Sequence, residues 1–132
     1  MKYEETTKKV IGYAMQIHRT LGNGFQEVIY QRALEVEFLL NGLSFTREKE
    51  IEIYYKNKVI GTRRVDFFVE GNIMIELKAL TKLEDVHTAQ AKNYCEAYNM
   101  EAGLLINFGA KSLEFKRIFN DYPKKSSNPL IL

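Results

Sequence analysis

Two carboxylates and one lysine stand inside strand-like apolar segments, where an unpaired charge is costly to bury. Asp66 interrupts the first segment, and Glu76 and Lys78 interrupt the second. Gly71-Asn72 lies between the two segments and is typical of a turn. A hairpin over this turn would bring Asp66 beside Glu76. Lys78 would share the face of Glu76, because side chains alternate along a strand.

This combination of side chains suits metal-assisted chemistry on a phosphate. Hard divalent cations such as Mg²⁺ prefer oxygen ligands and often take one or two carboxylates, which Asp66 and Glu76 could supply. A lysine on the same face could orient or help deprotonate an attacking water, or offset charge that develops on a phosphate. The spacing alone also fits a cross-strand ion-pair cluster on a solvated sheet face, so both interpretations stay open.

Three more polar residues belong to predicted helices that flank these strands. Gln90 and Tyr94 are four positions apart and therefore lie on one helix face, and their helix follows the strand of Glu76. Glu27 stands in the first turn of an earlier helix. The simpler explanations are an exposed position for Gln90, a core position for Tyr94 and a favourable interaction of Glu27 with the helix dipole.

Composition restricts the class of protein. A chain of 132 residues suffices for one domain with a sizeable core. It contains no apolar run long enough to cross a bilayer, and Met1 is not followed by the apolar core of a secretory signal. The single Cys95 excludes an internal disulfide and a cysteine-ligated zinc or iron–sulfur site, and agrees with a cytoplasmic location. The net charge of +2 is too small to indicate nucleic-acid binding by itself.

Hydrophobic periodicity predicts the elements that must position these side chains. The predicted helices cover residues 4–21, 26–40 and 86–99. The predicted strands cover residues 45–55, 59–70, 73–80, 103–107 and 113–119. A bulge is expected at Gly61, and the apolar run 103–107 is typical of a buried parallel strand that a helix connects to the preceding one.

This order predicts an α/β fold. Its mixed β-sheet begins with an antiparallel meander, continues through a parallel crossover strand and is flanked by helices. We expect a single domain over residues 1–120 and a C-terminal tail over residues 121–132, which are rich in Lys, Ser and Asn.

Together, these motifs resemble those of the PD-(D/E)XK nuclease superfamily, in its RecB-like branch. The resemblance is carried by Asp66, by Glu76-Leu77-Lys78 and by Gln90-x-x-x-Tyr94, within a similarity that covers residues 3–119. Gly24-x-x-Glu27-x-x-Tyr30 is similar to the signature of a small prokaryotic group in that superfamily, the GxxExxY proteins. The restriction-endonuclease-like core of the superfamily, α-β-β-β-α-β, agrees with the order predicted from periodicity.

The resemblance implies a metal centre and a catalytic lysine. Asp66 and Glu76 would hold Mg²⁺ or Mn²⁺, with the backbone carbonyl of Leu77 as a third ligand. Glu27 would approach the metal directly or through water. Lys78 would be the catalytic lysine.

The resemblance also implies a role for the third predicted helix and a reaction. Gln90 and Tyr94 would contact the nucleic-acid backbone or brace the site. Val65 stands where the superfamily's name has proline, a departure that many members share. The expected function is metal-dependent hydrolysis of phosphodiester bonds in DNA or RNA, with DNA the favoured partner.

Two other functions stay open at this point. One is a nuclease-like module that binds nucleic acid or a protein partner without cutting. The other is an interaction subunit assembled through exposed aromatic residues. By analogy with other small nucleases the chain could form a homodimer, although the sequence carries no dimer signature.

Overall fold

The computed structural model describes residues 2–120, apart from the side chains of Lys2 and Ile51. The helices in this range are α1 (Lys2–Leu21), α2 (Glu27–Leu40) and α3 (Asp85–Ala97). The strands are β1 (Phe45–Arg47), β2 (Glu50–Tyr55), β3 (Lys58–Arg64), β4 (Phe67–Val69), β5 (Ile73–Lys78), β6 (Ala102–Asn107) and β7 (Glu114–Phe119). The predicted tail, residues 121–132, lies outside the described residues.

Five strands form one mixed sheet in the order β1-β4-β5-β6-β7. β4 runs antiparallel to both β1 and β5, as the predicted meander requires. β5 and β6 are parallel and α3 connects them, which confirms the predicted crossover. Every residue of β6 is buried, because helices cover both faces of the sheet.

The alternation of side chains along β5 divides the core into two layers. Ile75 and Leu77 point to the layer that α1 and α2 cover, and Met74 points to the layer that α3 covers. The helical side of the first layer includes Val10, Ala14, Ile17, Tyr30, Leu34 and Phe38. That of the second includes Ala91, Cys95 and Tyr98. Glu76 and Lys78 follow Met74 on the α3 side.

The two long strands predicted over 45–55 and 59–70 are each divided in two, which corrects that prediction. The break falls at Glu48, whose backbone has a positive φ of 53°, and at Asp66, whose carbonyl accepts the N–H of Glu48 at 2.9 Å. Pairing keeps the same register on both sides of the break. The ribbon is therefore continuous in register, but only β1 and β4 join the main sheet.

Beyond the break, β2 and β3 form a separate antiparallel hairpin. Lys56 and Asn57 connect the strands, both with positive φ, which is the backbone that a two-residue hairpin turn requires. Ile53 pairs with Gly61 whereas Tyr54 pairs with Val59, so the predicted bulge at Gly61 is confirmed.

None of the helices in residues 2–120 combines the length and the apolar character that a membrane span requires.

Candidate active site

Asp66 directly precedes β4 in the chain and lies beside the last residues of β5. Its Oδ2 accepts the backbone N–H of Leu77 at 2.8 Å, and its Oδ1 accepts Nε2 of Gln31 at 2.9 Å. The N–H of Asp66 donates to Oε1 of Glu76 at 3.3 Å. The hairpin thus brings the two carboxylates together, and the aspartate occupies the position where another β4 residue would otherwise bind β5.

Glu76 is the more deeply buried carboxylate, with 4 % of its surface exposed. Burial and the charge of Asp66 raise its pKa to about 7, although Arg63 and Lys78 act in the opposite direction. Burial also raises the pKa of Asp66, against the hydrogen bonds from Leu77 and Gln31. Two carboxyl groups with raised pKa values therefore face one another in a partly dry site, an arrangement that added positive charge would stabilise.

The end of β5 directs two more polar groups towards this pair. Lys78 is half-buried on the face of Glu76, and its charge lowers the pKa of both Asp66 and Glu76. Its ammonium group forms no ion pair with the residues that the structure describes. Leu77 donates its N–H to Asp66, and a strand residue directs its C=O to the same side as its N–H, so the Leu77 carbonyl is aimed at the edge that Asp66 occupies.

Glu27 approaches the site from the first turn of α2. Partial desolvation and the charge of Asp66 raise its pKa, while Lys78 and Arg63 lower it. The carboxylate is exposed to solvent, yet it lies close enough to sense three charged groups of the site. α2 therefore contributes an acidic side chain from the opposite side of the sheet to α3.

Tyr30 explains how the segment before α2 is held in place. Its hydroxyl donates to the carbonyl of Gly22 at 2.7 Å and accepts the N–H of Phe25 at 3.1 Å. Its ring is fully buried and stacks on Phe108 with the ring centroids 4.6 Å apart. Three residues after Glu27, this tyrosine thus ties the loop to the core and determines where α2 begins.

α3 is connected to the site through Arg63, a residue of β3 that the sequence analysis did not single out. The Arg63 guanidinium lies over the ring of Tyr94, 4.5 Å from its centroid, and Nη2 is 3.6 Å from Oε2 of Glu76. Tyr94 is therefore linked to Glu76 through the guanidinium group of Arg63. Gln90, one turn earlier on α3, is exposed to solvent.

A family model of the PD-(D/E)XK nuclease superfamily matches residues 4–118. The chain belongs to the PD-(D/E)XK nuclease superfamily. Its mixed five-stranded sheet, with one parallel pair and flanking helices, is the restriction-endonuclease-like fold of that superfamily. The fold class predicted from the order of the elements is confirmed.

The same fold occurs among solved structures. The crystal structure of SSO0001 superposes with a TM-score of 0.56 and 22% sequence identity, over 77% of this chain and 52% of that chain. At this level of identity the likeness concerns the fold alone. The chain spans about half the length of SSO0001. No curated protein matches the chain.

PD-(D/E)XK nucleases generally use divalent metal ions, and the donor groups at this site fit such an ion. Within residues 2–120, no three Asp, Glu, His or Cys side chains converge into a metal-binding group. The two carboxylates that lie together at this site are those of Asp66 and Glu76. Two carboxylates and the carbonyl of Leu77 form an all-oxygen set, which suits Mg²⁺ or Mn²⁺ completed by water and phosphate. The charge of Asp66 contributes to the raised pKa of Glu76, and a cation between the two carboxylates would offset that repulsion.

The sequence analysis missed three residues that support this site. Gln31 is buried and holds Asp66, and its spacing of four from Glu27 on the same helix face was the available signal. Arg63 belongs to none of the motifs in the sequence, and only the fold brings it to Glu76. Asn107 ends the apolar run of β6, where a fully buried amide requires partners.

Asn107 supplies those partners to the chain that follows β5. Its Oδ1 accepts the N–H of Leu80 at 2.8 Å, and its Nδ2 donates to the carbonyl of Leu80 at 2.9 Å and to Glu114 at 2.9 Å. These bonds hold the segment after Lys78 against the end of β6. The neighbouring strand β6 therefore helps to hold Lys78 in its orientation.

Proposed function

We propose that the chain is a divalent-metal-dependent nuclease that hydrolyses phosphodiester bonds of nucleic acid. The observation that carries the proposal is the adjacent pair Asp66 and Glu76, with raised pKa values and with Lys78 on the same face. Membership of the PD-(D/E)XK nuclease superfamily makes nucleic acid the substrate class to expect.

Each residue of the site has a proposed role. Asp66, Glu76 and the Leu77 carbonyl hold Mg²⁺ or Mn²⁺, and Glu27 approaches the same ion directly or through water. When bound, such a cation supplies positive charge that activates a water for attack and offsets charge that develops on the phosphate. Lys78 orients that water and adds positive charge beside the phosphate.

The remaining residues position these groups or contact the substrate. Gln31 orients Asp66, and Arg63 stacked on Tyr94 orients Glu76. Gln90, exposed one turn before Tyr94, is placed to contact the nucleic-acid backbone.

The finer classification is also a proposal. Gly24, Glu27 and Tyr30 match the signature of the GxxExxY group, and Asp66 with Glu-Leu-Lys and Gln-x-x-x-Tyr matches the RecB-like branch. Tyr30 forms hydrogen bonds to the loop around Gly24, which supports a common structural role for these residues of the signature. DNA rather than RNA as substrate, a homodimer and a cytoplasmic location stay predictions.

Titration of Mn²⁺ by calorimetry into wild type and into the double variant Asp66→Ala/Glu76→Ala tests the proposal. The same samples are then incubated with labelled single- and double-stranded DNA and RNA, with Mn²⁺ or with a chelator. We expect Mn²⁺ binding and metal-dependent cutting by wild type alone. The matched control is Glu5→Ala/Glu96→Ala, which removes two exposed carboxylates, one near the start of α1 and one near the end of α3, and should leave both properties unchanged.

A non-cleaving module that binds nucleic acid is the second candidate. The Arg63–Glu76 ion pair favours it, because it satisfies one carboxylate without a metal. Metal binding by wild type without cutting of any of the four substrates would put this candidate first. Absence of metal binding, even with nucleic acid present, would show that the charged cluster is structural.

A further inference from the structure

The β2–β3 hairpin stands apart from the main sheet, and its described side chains are exposed or half-exposed. Its turn presents Lys56, whose ammonium group lies 5.5 Å from the ring centroid of Tyr55. The tyrosine itself is 62 % exposed. A protruding ribbon that exposes an aromatic ring beside a lysine gains little for folding from either side chain.

Charge is distributed unequally between the two faces of this hairpin. Residues that pair across an antiparallel ribbon share a face. The pairs Glu50–Arg64 and Glu52–Thr62 place both acidic residues of β2 on one face. The other face carries the pairs Ile53–Gly61 and Tyr55–Lys58 and, two residues beyond Gly61, Arg63. The described residues of this second face, which we call the basic face, include no acidic side chain.

The basic face is continuous with the candidate active site. Arg63 belongs to it and contacts both Glu76 and Tyr94. The carbonyl of Arg63 accepts the hydroxyl of Tyr98 at 2.6 Å, which anchors the base of the hairpin to α3. Lys58 is five positions from Arg63, so the tip lies about 17 Å from the site along the strand.

We propose that the basic face binds an unpaired stretch of the nucleic-acid strand next to the point of cleavage. A base stacks on Tyr55, and Lys56 and Lys58 contact phosphates. An exposed aromatic ring flanked by cations is the combination that single-stranded nucleic acid requires, because any unpaired base has a face to stack and any strand has phosphates to neutralise. This inference rests on the proposed function, since it takes the scissile strand to lie at Asp66 and Glu76.

Fluorescence anisotropy tests the proposal. The probes are labelled single-stranded DNA and RNA of about 20 nucleotides and a blunt DNA duplex of the same sequence, all in a chelator so that nothing is cut. We expect Tyr55→Ala to weaken single-strand binding by about 5- to 100-fold, the range found for loss of one stacked base. Tyr55→Phe should bind like wild type, because the ring is kept.

Loss of Lys56 and Lys58 should change how the affinity depends on salt. Lys56→Ala/Lys58→Ala should weaken single-strand binding and reduce the slope of log affinity against log salt by about 1.4, the value for two lost phosphate contacts. Lys8→Ala/Lys9→Ala is the matched control. It removes the same charge from the first half of α1, which lies at the opposite end of the sheet, since Tyr3 contacts Glu101 just before β6. This control should keep the wild-type slope.

Three results would overturn the inference. The first is unchanged single-strand affinity of Tyr55→Ala and of Lys56→Ala/Lys58→Ala in a protein that binds and cuts nucleic acid, which would leave the proposed function intact. The second is tight wild-type binding of the duplex alone. The third is failure of wild type both to bind and to cut any probe, which would remove the proposed function as well. Thermal unfolding of each variant shows whether it is folded, and the exposed positions predict no loss of stability.

Discussion

The carboxyl group of Glu76 is buried beside Asp66, and this placement governs how pH acts on the metal-free protein. Its pKa rises from the ordinary 4.5 of a glutamate carboxyl group to about 7. Between these values the folded protein holds a proton that the unfolded chain has released. Because the unfolded chain binds fewer protons there, the free energy of unfolding should fall as pH rises from about 4.5 to about 7 and stay level above.

We therefore predict that Glu76→Gln flattens this pH dependence. The full contribution of the shift is on the order of 3 kcal/mol, and Asp66, whose pKa is also raised, adds in the same direction. Urea unfolding at several pH values in a chelator measures it. The exposed Glu52→Gln serves as control and should keep the wild-type slope. Equal slopes in wild type and Glu76→Gln would contradict the environment assigned to Glu76.

Lys78 is predicted to act in the reaction rather than in metal binding. Lys78→Ala removes the cation beside the phosphate but none of the oxygen ligands, so cutting should fall by roughly 100-fold or more while Mn²⁺ affinity stays within a few-fold. Cleavage assays and calorimetry on the same samples separate the two effects. Lys82→Ala, an exposed lysine after β5, should cut normally. Undiminished cutting by Lys78→Ala would remove its catalytic role.

Gln31 is predicted to orient Asp66 for the metal. Its amide occupies Oδ1 of Asp66 and leaves Oδ2 to Leu77. Gln31→Ala should weaken Mn²⁺ affinity by about 10- to 100-fold and lower the free energy of unfolding by about 1–3 kcal/mol. Gln16→Ala, on the exposed side of α1, is the control and should change neither quantity. Normal Mn²⁺ affinity in Gln31→Ala would show that Asp66 needs no such support.

At the scale of elements, the ends of β5 and β6 are locked together just beyond the candidate site. Gly109 follows β6, and a Cβ atom there would lie 2.4 Å from the backbone nitrogen of Leu80. Asn107 binds the same segment through both polar atoms of its amide. The position of Lys78 thus depends on a close backbone contact between two segments.

We predict that Gly109→Ala lowers the free energy of unfolding by about 3 kcal/mol or more, because backbone cannot yield to the added methyl group. The matched substitution Gly12→Ala, in α1, meets no atom within 4 Å and should raise stability by about 0.5–1 kcal/mol. Thermal and urea unfolding measure both. A stable Gly109→Ala would mean that the two segments can separate without cost.

At the scale of the molecule, the described core is built by residues 10–118 on the two faces of one sheet. A single domain over residues 1–120 stays a prediction. We predict that a chain ending at Asn120 keeps the fold and a melting temperature within a few degrees of the full chain. Thermal unfolding and circular dichroism check this. A large drop in melting temperature would show that residues 121–132 contribute to the domain.

The order and type of the elements follow from local patterns in the amino-acid sequence. Alternation in β5, helical periodicity in α1 and α2 and the continuous apolar run of β6 are local consequences of which side chains must be buried. The same alternation placed Glu76 and Lys78 on one face, and the turn at Gly71 placed Asp66 beside them. These predictions depend only on neighbours along the chain and across one short hairpin.

How that site is supported, and how its groups titrate, depends on contacts between segments that are distant in the chain. Gln31 reaches Asp66 across 35 positions, and Arg63 meets Glu76 and Tyr94 only because α3 packs over the sheet. The break in the ribbon falls where Glu48 has a positive φ, which the alternation of side chains along the sequence does not reveal. The pKa of Glu76 depends mainly on desolvation by several segments together. The periodicity of a sequence does not show which segments will surround a side chain.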